Sequence, residues 1–210
     1  MVLWVLPVKD LTLGKTRLEV PGVAREDLIV AMLCDTVEAV LGSETGPVVL
    51  VSPDERVEQL AAQYSVKFLF HNGDLNAAIA AAVSGVSAAL LPDLPAVRAE
   101  DLRAVVLQHA RGFVPDAAGT GTTCAFDRDL QPHFGPGSAG AHAAAGLPLI
   151  EAHATVAPRC GHRGRSRPSA ATGPGTAHRG PARGPLVPLH QNAGFGTCEG
   201  PARNRTGPSQ

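Results

Sequence analysis

The run Val2-Leu3-Trp4-Val5-Leu6-Pro7-Val8-Lys9-Asp10-Leu11-Thr12-Leu13-Gly14-Lys15-Thr16-Arg17-Leu18 decides how the rest of the chain is read. Its apolar start, Val2 to Leu6, has the length and composition of a buried strand. The strand gives way at Pro7 to a polar loop carrying Lys9, Lys15 and Arg17. Fixed cations gathered on one loop suit a phosphate chain, because they offset the charge that builds on a departing pyrophosphate. The bland alternative is a solvated basic loop. This is not a Walker A loop, since Gly14-Lys15-Thr16 lacks the first glycine at the required spacing.

Beyond the loop, apolar spacing alternates between helical and strand periods. Helices are predicted over 25–41, 57–64, 75–86 and 99–109. Strands are predicted over 48–51, 66–70, 88–91 and 112–114. Such alternation implies an α/β domain with a mostly parallel sheet covered on both faces. Ligands of such sheets bind beyond the carboxyl ends of the strands. Lys9, Ser52 and Asp93 all fall there. No GxGxxG follows the first strand, which argues against a nicotinamide enzyme.

The 210 residues suffice for one domain of ordinary size. The formal net charge of −1 conceals a split. Residues 1–156 hold 10 basic and 18 acidic side chains, a net of −8, whereas 157–210 hold 8 arginines and one acid, a net of +7. The second segment also has 10 Gly and 8 Pro among its 54 residues and almost no aliphatic periodicity. It cannot bury enough apolar surface to offset the entropy of ordering. The expected organisation is a catalytic domain over 1–156 and a disordered tail over 157–210. The first apolar run is too short for a signal sequence or a membrane span. Cysteines 34, 124, 160 and 198 form no CxxC pair. A cytoplasmic protein with reduced thiols is expected, with Cys34 in the core.

Three further pieces carry chemistry. Asp93 stands between Pro92 and Pro95-flanked Leu94, at a strand end where the prolines hold the backbone extended. A carboxylate so placed can hold Mg2+ against phosphate oxygens; otherwise it caps a turn. Gly119-Thr120-Gly121-Thr122-Thr123 and Phe134-Gly135-Pro136-Gly137-Ser138 are small-residue loops that could offer N–H groups and hydroxyls to an anion. Each alone reads as a simple turn, but the pair after a strand-end acid points to an anionic substrate. A lone histidine such as His142 is more often structural than catalytic. In the tail, Cys160-Gly161-His162 is too short and isolated for a metal site.

Taken together, PVKDLTLGKTRL, LIVAMLCDTVEAV, VSPDE, GDLNAAIAAA, PDLPAV, FVPDAAGTGTT and HFGPGSAGAHAAAG, in order over about residues 2–150, resemble the 2-phospho-L-lactate and phosphoenolpyruvate guanylyltransferases of coenzyme F(420) biosynthesis. The resemblance implies a GT-A-like (Rossmann-like) nucleotidyltransferase. Its reaction joins GMP from GTP to phosphoenolpyruvate or 2-phospho-L-lactate and releases pyrophosphate. By position, Thr122, Gly135 and Ser138 match the residues for the phosphoenolpyruvate-type substrate, and Asp93 the metal-binding aspartate. Lys9, Lys15 and Arg17 match the N-terminal signature assigned to the triphosphate. Lys9, Lys15 and Asp93 are the catalytic candidates. Asn76, in the first turn of its helix, joins Lys9, Lys15 and Arg17 as a nucleotide contact. Mg2+ is the implied cofactor, and a homodimer is left open.

The chain departs from the family after the second glycine loop. There the family carries an acidic metal-binding motif, whereas residues 159–166 read RCGHRGRS. Shifted by one base, generic codons from Cys160 onward can read Val-Asp-Thr-Ala-Asp-Asp-Leu. A frameshift between Glu151 and Arg159 would account for the charge break, the tail composition and the missing acids together. Competing expectations are an inactive or degenerate family member, or another nucleotidyltransferase such as a molybdopterin guanylyltransferase, whose glycine-rich opening loop is absent. Nucleic-acid binding through the tail arginines lacks aromatic interleaving and any RNA module, and is not expected.

Overall fold

Unbroken apolar runs form the middle of the sheet because both of its faces are covered. In the computed structural model, which describes residues 1–12, 22–152 and 156, β1 spans Leu3–Pro7 and β2 spans Val48–Ser52, the latter buried along its whole length. The other strands are β3 (Lys67–Phe70), β4 (Val86–Leu90), β5 (Gly112–Pro115) and β6 (Thr122–Arg128). They form one sheet in the order β3-β2-β1-β4-β6-β5. The pairs β1–β2, β1–β4 and β2–β3 are parallel; β6 runs antiparallel to both β4 and β5. The sheet is therefore mostly parallel, with β6 reversed. All described residues lie in one compact unit, Met1–Gly161.

The helices are α1 (Arg25–Gly42), α2 (Glu55–Tyr64), α3 (Leu75–Ala82), α4 (Ala99–Gln108) and α5 (Ser138–Ala144). Asp54 caps α2 and Asp74 caps α3, each side chain accepting a first-turn backbone N–H. Alternation along β1 sends Val5 into a core shared with Ile79, Phe113, Leu130, Phe134 and Leu147. Trp4 and Leu6, on the opposite face, are also fully buried. The Trp4 indole N–H donates to Thr45 Oγ1 at 2.8 Å, so the ring is buried without an orphaned donor.

The strands and helices expected from periodicity are all present, but their boundaries move in two informative places. The helix predicted over 75–86 stops at Ala82, because the chain turns at Gly85 (φ 61°) and Val86 already opens β4. Thr122 and Thr123, read as loop, begin a seven-residue strand. Their hydroxyls suggested a ligand loop, yet β-branched residues also suit a pleated, buried surface. Cys34 is buried as expected. Cys124 is free, and burial pushes its thiol up to about 12. The expected tail over 157–210 lies outside the described residues, as do Lys15 and Arg17.

Candidate active site

The loop after β1 is pinned on both sides of Lys9. Val8 N–H donates to the Val51 carbonyl at 2.8 Å, extending the β1–β2 pairing by one residue. Leu11 is buried, and its N–H donates to Asp54 Oδ2 at 3.0 Å. The other Asp54 oxygen accepts from Arg56 N–H at 2.9 Å. One carboxylate thus starts α2 and holds the lysine loop. Between these anchors Lys9 is exposed and lines two cavities, of about 270 and 290 Å3, on either side of the Pro7–Asp10 segment.

The first cavity opens between the ends of β1 and β4. Lys9, Asp10 and Asp93 line it over an apolar floor that includes Met32, Leu33 and Leu91. Parallel pairing of β1 with β4 puts the residues after Pro7 and after Leu90 at the same sheet edge. Thr36 Oγ1, which donates to the Met32 carbonyl at 2.9 Å, also lies 3.3 Å from the Pro92 carbonyl, where the Asp93 turn meets α1. Buried Leu94 fixes the far side of that turn. The second cavity lies between the ends of β1 and β2 and the segment His71–Asp74. The sequence-predicted pair Lys9 and Asp93 is therefore brought together, with Ser52 buried near the same edge.

Thr122, Gly135 and Ser138 line neither cavity. They form a separate, largely buried group reached through the reversed strand. Because β6 is antiparallel, its first residue arrives where β4 ends: Leu90 pairs with Cys124, and Leu91 N–H donates to the Thr123 carbonyl at 2.9 Å. Ala139 N–H donates to the Thr120 carbonyl at 3.1 Å, which brings the start of α5 against the Gly119–Thr123 turn. Ser138 is buried, and its hydroxyl has no hydrogen-bond partner among the described residues. Gly135 has φ 137° and Gly137 φ 73°, conformations that suit glycine, so this loop's path is written into its sequence.

Two local findings were not legible in the sequence. The Gly119–Thr123 turn gives its N–H groups to its own chain: Thr120 and Gly121 both donate to Asp116 Oδ1, at 3.1 and 3.0 Å. An internal carboxylate thus takes the place expected for an external anion. Asn76, expected at the nucleotide, clamps the second glycine loop. Its Nδ2 donates to the Phe134 carbonyl at 2.9 Å, and its Oδ1 accepts from Phe134 N–H at 2.7 Å. Since the neighbouring Leu75 lines both cavities, the start of α3 links the lysine side of the site to the Gly135–Ser138 side.

His142, read from the sequence as more often structural than catalytic, is packed into the same group. It is fully buried, stacked on Phe113 and edge-on to His133 and Phe134. Its Nδ1 lies 3.0 Å from Thr122 Oγ1. Burial lowers its pKa, a hydrogen bond to the Ser138 backbone works the other way, and the neighbouring His133 lowers it further. The available signal was its spacing, four residues after Ser138 and thus on the same helix face.

Residues 2–128 match the family model described as guanylyl transferase CofC like. The chain belongs to that family. The CofC-like chain is similar to the phosphoenolpyruvate guanylyltransferase of Geodermatophilus obscurus, at 43% identity over 163 residues, covering 68% of this chain and 75% of that one. The phosphoenolpyruvate guanylyltransferase of Mycobacterium leprae is 34% identical over 162 residues, with the same shares. A nucleotidyl transferase from Methanothermobacter thermautotroptrophicus shares the fold, with a TM-score of 0.51 at 18% identity over 76% of this chain and 88% of that one. The CofC-like chain is a nucleotidyltransferase of the guanylyltransferase class. No described helix is long and apolar enough to cross a membrane.

Proposed function

We propose that this guanylyltransferase moves GMP from GTP to the phosphate of phosphoenolpyruvate, or of 2-phospho-L-lactate, in coenzyme F(420) biosynthesis. The observation that carries the reading is the shared cavity of Lys9, Asp10 and Asp93 at the carboxyl ends of β1 and β4. The names of the relatives at 43% and 34% identity support the acceptor. An acceptor phosphate oxygen attacks the α-phosphorus of GTP. The new P–O bond forms as the bond to the β-phosphate bridge breaks, and pyrophosphate leaves with the electron pair. Lys9, with Lys15 and Arg17 a few residues further along the sequence, stabilises the charge growing on that leaving group. Thr122, Gly135 and Ser138 hold the acceptor, and Asn76 acts through the loop it clamps.

Among the described residues no group of three or more His, Cys, Asp or Glu could cage a metal. The oxygen donors Asp93 and Asp10 on one cavity wall nevertheless fit Mg2+, which is commonly held by one or two carboxylates with substrate phosphates and water. Asp93 would hold the ion, which supplies charge neutralisation at the phosphates when bound. The tail bears on how much activity survives. If a frameshift removed a second acidic motif, the chain as written turns over weakly or not at all.

The test measures pyrophosphate release from GTP with each acceptor, for this chain and for one rebuilt to carry the Val-Asp-Thr-Ala-Asp-Asp-Leu frame. Acceptor-dependent release, stronger in the rebuilt chain, is expected. Equal rates would make the acidic motif dispensable and end the frameshift account. No release from either chain would overturn the proposed reaction.

A further inference from the structure

The backbone of the Lys9 loop is held from two helices at once. Leu11 N–H donates to Asp54 Oδ2 at 3.0 Å, at the N-cap of α2. One residue on, the Thr12 carbonyl accepts from Arg25 Nη2 at 2.9 Å, at the start of α1. Thr12 is also folded back on the loop. Its N–H and its Oγ1 hydroxyl both donate to Asp10 Oδ1, at 2.8 and 2.6 Å. Asp10 lines both cavities beside Lys9. A shift of Thr12 is therefore passed through the Asp10 carboxylate to the segment that carries Lys9.

The two helix starts are also tied to each other. Arg56 Nη2 donates to Asp27 Oδ1 at 2.8 Å, and Arg56 N–H donates to Asp54 Oδ1 at 2.9 Å. The hydrogen bonds thus form a collar from Arg25 over Thr12, Leu11, Asp54 and Arg56 to Asp27, two residues past Arg25 on α1. Ile29, one turn after Arg25, lines the first cavity. The Arg25–Thr12 and Arg56–Asp27 contacts are exposed, so they add little to stability. Arg25 Nε is buried without a hydrogen-bond partner among the described residues, and Nη2 is shared between the Thr12 carbonyl and Glu26 Oε1, the latter at 3.3 Å. An orphaned donor costs stability. Arg25 is thus poorly placed to stabilise the fold and well placed to fix one carbonyl.

We propose that Arg25 is a positioning residue that fixes Thr12, and through it the Lys9–Asp10 segment, for the triphosphate of the nucleotide. The inference rests on Lys9 being a nucleotide contact. Arg25 itself touches no phosphate; it acts through Lys9. Without the Arg25 tether, part of the binding energy goes into ordering the segment when the nucleotide arrives.

The test uses the full chain and its calorimetric affinity for GTP with Mg2+. Arg25→Met keeps an unbranched stem and removes the donor. It should weaken GTP about fivefold, the scale of one net hydrogen bond. The melting temperature should stay within about 2 °C, as for loss of an exposed contact. A much larger fall would make Arg25 structural and overturn the proposal. Arg25→Lys should recover most of the affinity, because the contact is to a single carbonyl, which an ammonium can also meet. Equal weakening by both variants would count against the Thr12 contact and overturn the proposal as well. The double variant Lys9→Ala/Arg25→Met shows whether Arg25 acts through Lys9. Lys9→Ala alone should weaken GTP about tenfold, as for a hydrogen bond to a charged group, and the double variant by no more than about twofold beyond that. Multiplied losses, about fiftyfold in all, would mean that the two residues act independently and would sink the idea. If the unaltered chain binds no GTP, the proposed function itself fails. If it binds GTP and Lys9→Ala leaves that affinity intact, the assignment of Lys9 fails and this inference goes with it. If Lys9→Ala weakens GTP and Arg25→Met does not, only the role of Arg25 is lost.

Discussion

The parallel and antiparallel halves of the sheet build their polar groups in opposite ways. On the parallel side, Lys9 is exposed and projects from a loop whose neighbours Val8 and Leu11 are buried. On the antiparallel side, Thr122, Ser138 and His142 are themselves buried, each at 1% exposure or less. In the proposed function the two halves meet different parts of the reaction. A cation meeting a polyphosphate keeps its hydration until the ligand arrives, so it belongs on the surface of a pinned loop. Neutral donors that orient an acceptor gain from burial, because a low local dielectric strengthens a satisfied network and fixes its geometry. Function and stability should therefore separate on the first side and travel together on the second.

The largest effect should come from Asp93→Asn. Removing the carboxylate from the cavity shared with Lys9 should lower turnover by about 100-fold or more, as for loss of a preorganised electrostatic group. Thermal unfolding should barely move, and a large loss of melting temperature would mean that Asp93 is structural. Because the chain as written turns over weakly or not at all if the frameshift account holds, this comparison uses the rebuilt chain.

Asn76→Ala tests the opposite side. It removes both hydrogen bonds to Phe134 and leaves a part-buried carbonyl and N–H without their partner. A destabilisation of about 2–3 kcal/mol is expected, from the cost of about 1–3 kcal/mol for an orphaned polar group. Denaturant unfolding measures it. Lys9→Ala should change the same quantity by less than about 0.5 kcal/mol, as for an exposed side chain. If the two variants were equally destabilised, the contrast between the halves would be broken.

Gly135→Ala should cost about 1–3 kcal/mol, because alanine strongly disfavours φ 137°. A Cβ there meets nothing within 4 Å, so the penalty is one of backbone conformation without a clash. A crystal structure of the variant should show the loop re-routed or the strain retained; an unstrained, unchanged loop at full stability would contradict it.

The smallest effect is a pH dependence. The folded pKa of His142 is lowered from its ordinary value of 6.5. The unfolded chain then takes up a proton before the folded one does. The stability associated with the neutral ring is complete above about pH 6.5 and falls as the pH drops toward the lowered folded value. His133 packs against the same ring. Comparing unfolding curves of the unaltered chain and His142→Asn across that window isolates the His142 share. Identical slopes would show that the ring contributes nothing to it.

Much of the parallel half was legible because its signals are local. Strand β1 is an apolar run broken by proline, and β2 is a continuous aliphatic stretch ended by Ser52-Pro53-Asp54. The placement of Lys9 and Asp93 followed from the rule that ligands gather at the carboxyl ends of parallel strands. The antiparallel half was harder. Nothing in Thr122-Thr123-Cys124-Ala125-Phe126 distinguishes a ligand loop from a buried strand until its partners are known, and those partners, β4 and β5, lie at different distances along the chain. The role of Asn76 depends on Phe134, fifty-eight residues away, and was equally hidden.

The sequence by itself determined the element types of the parallel half, its core and the presence of cations and a carboxylate at strand ends. Periodicity, proline and glycine act within a few residues, and those choices are made there. Tertiary structure decided the rest. It reversed β6, so that Thr122 reaches the edge where β4 ends. It turned Asp116 inward onto the amides of its own turn, and Asn76 onto the backbone of a distant loop. It also brought the His133 amide to one nitrogen of His142 and the Thr122 hydroxyl to the other. Hydrogen-bond direction depends on which groups meet, and groups far apart in sequence meet only through the fold.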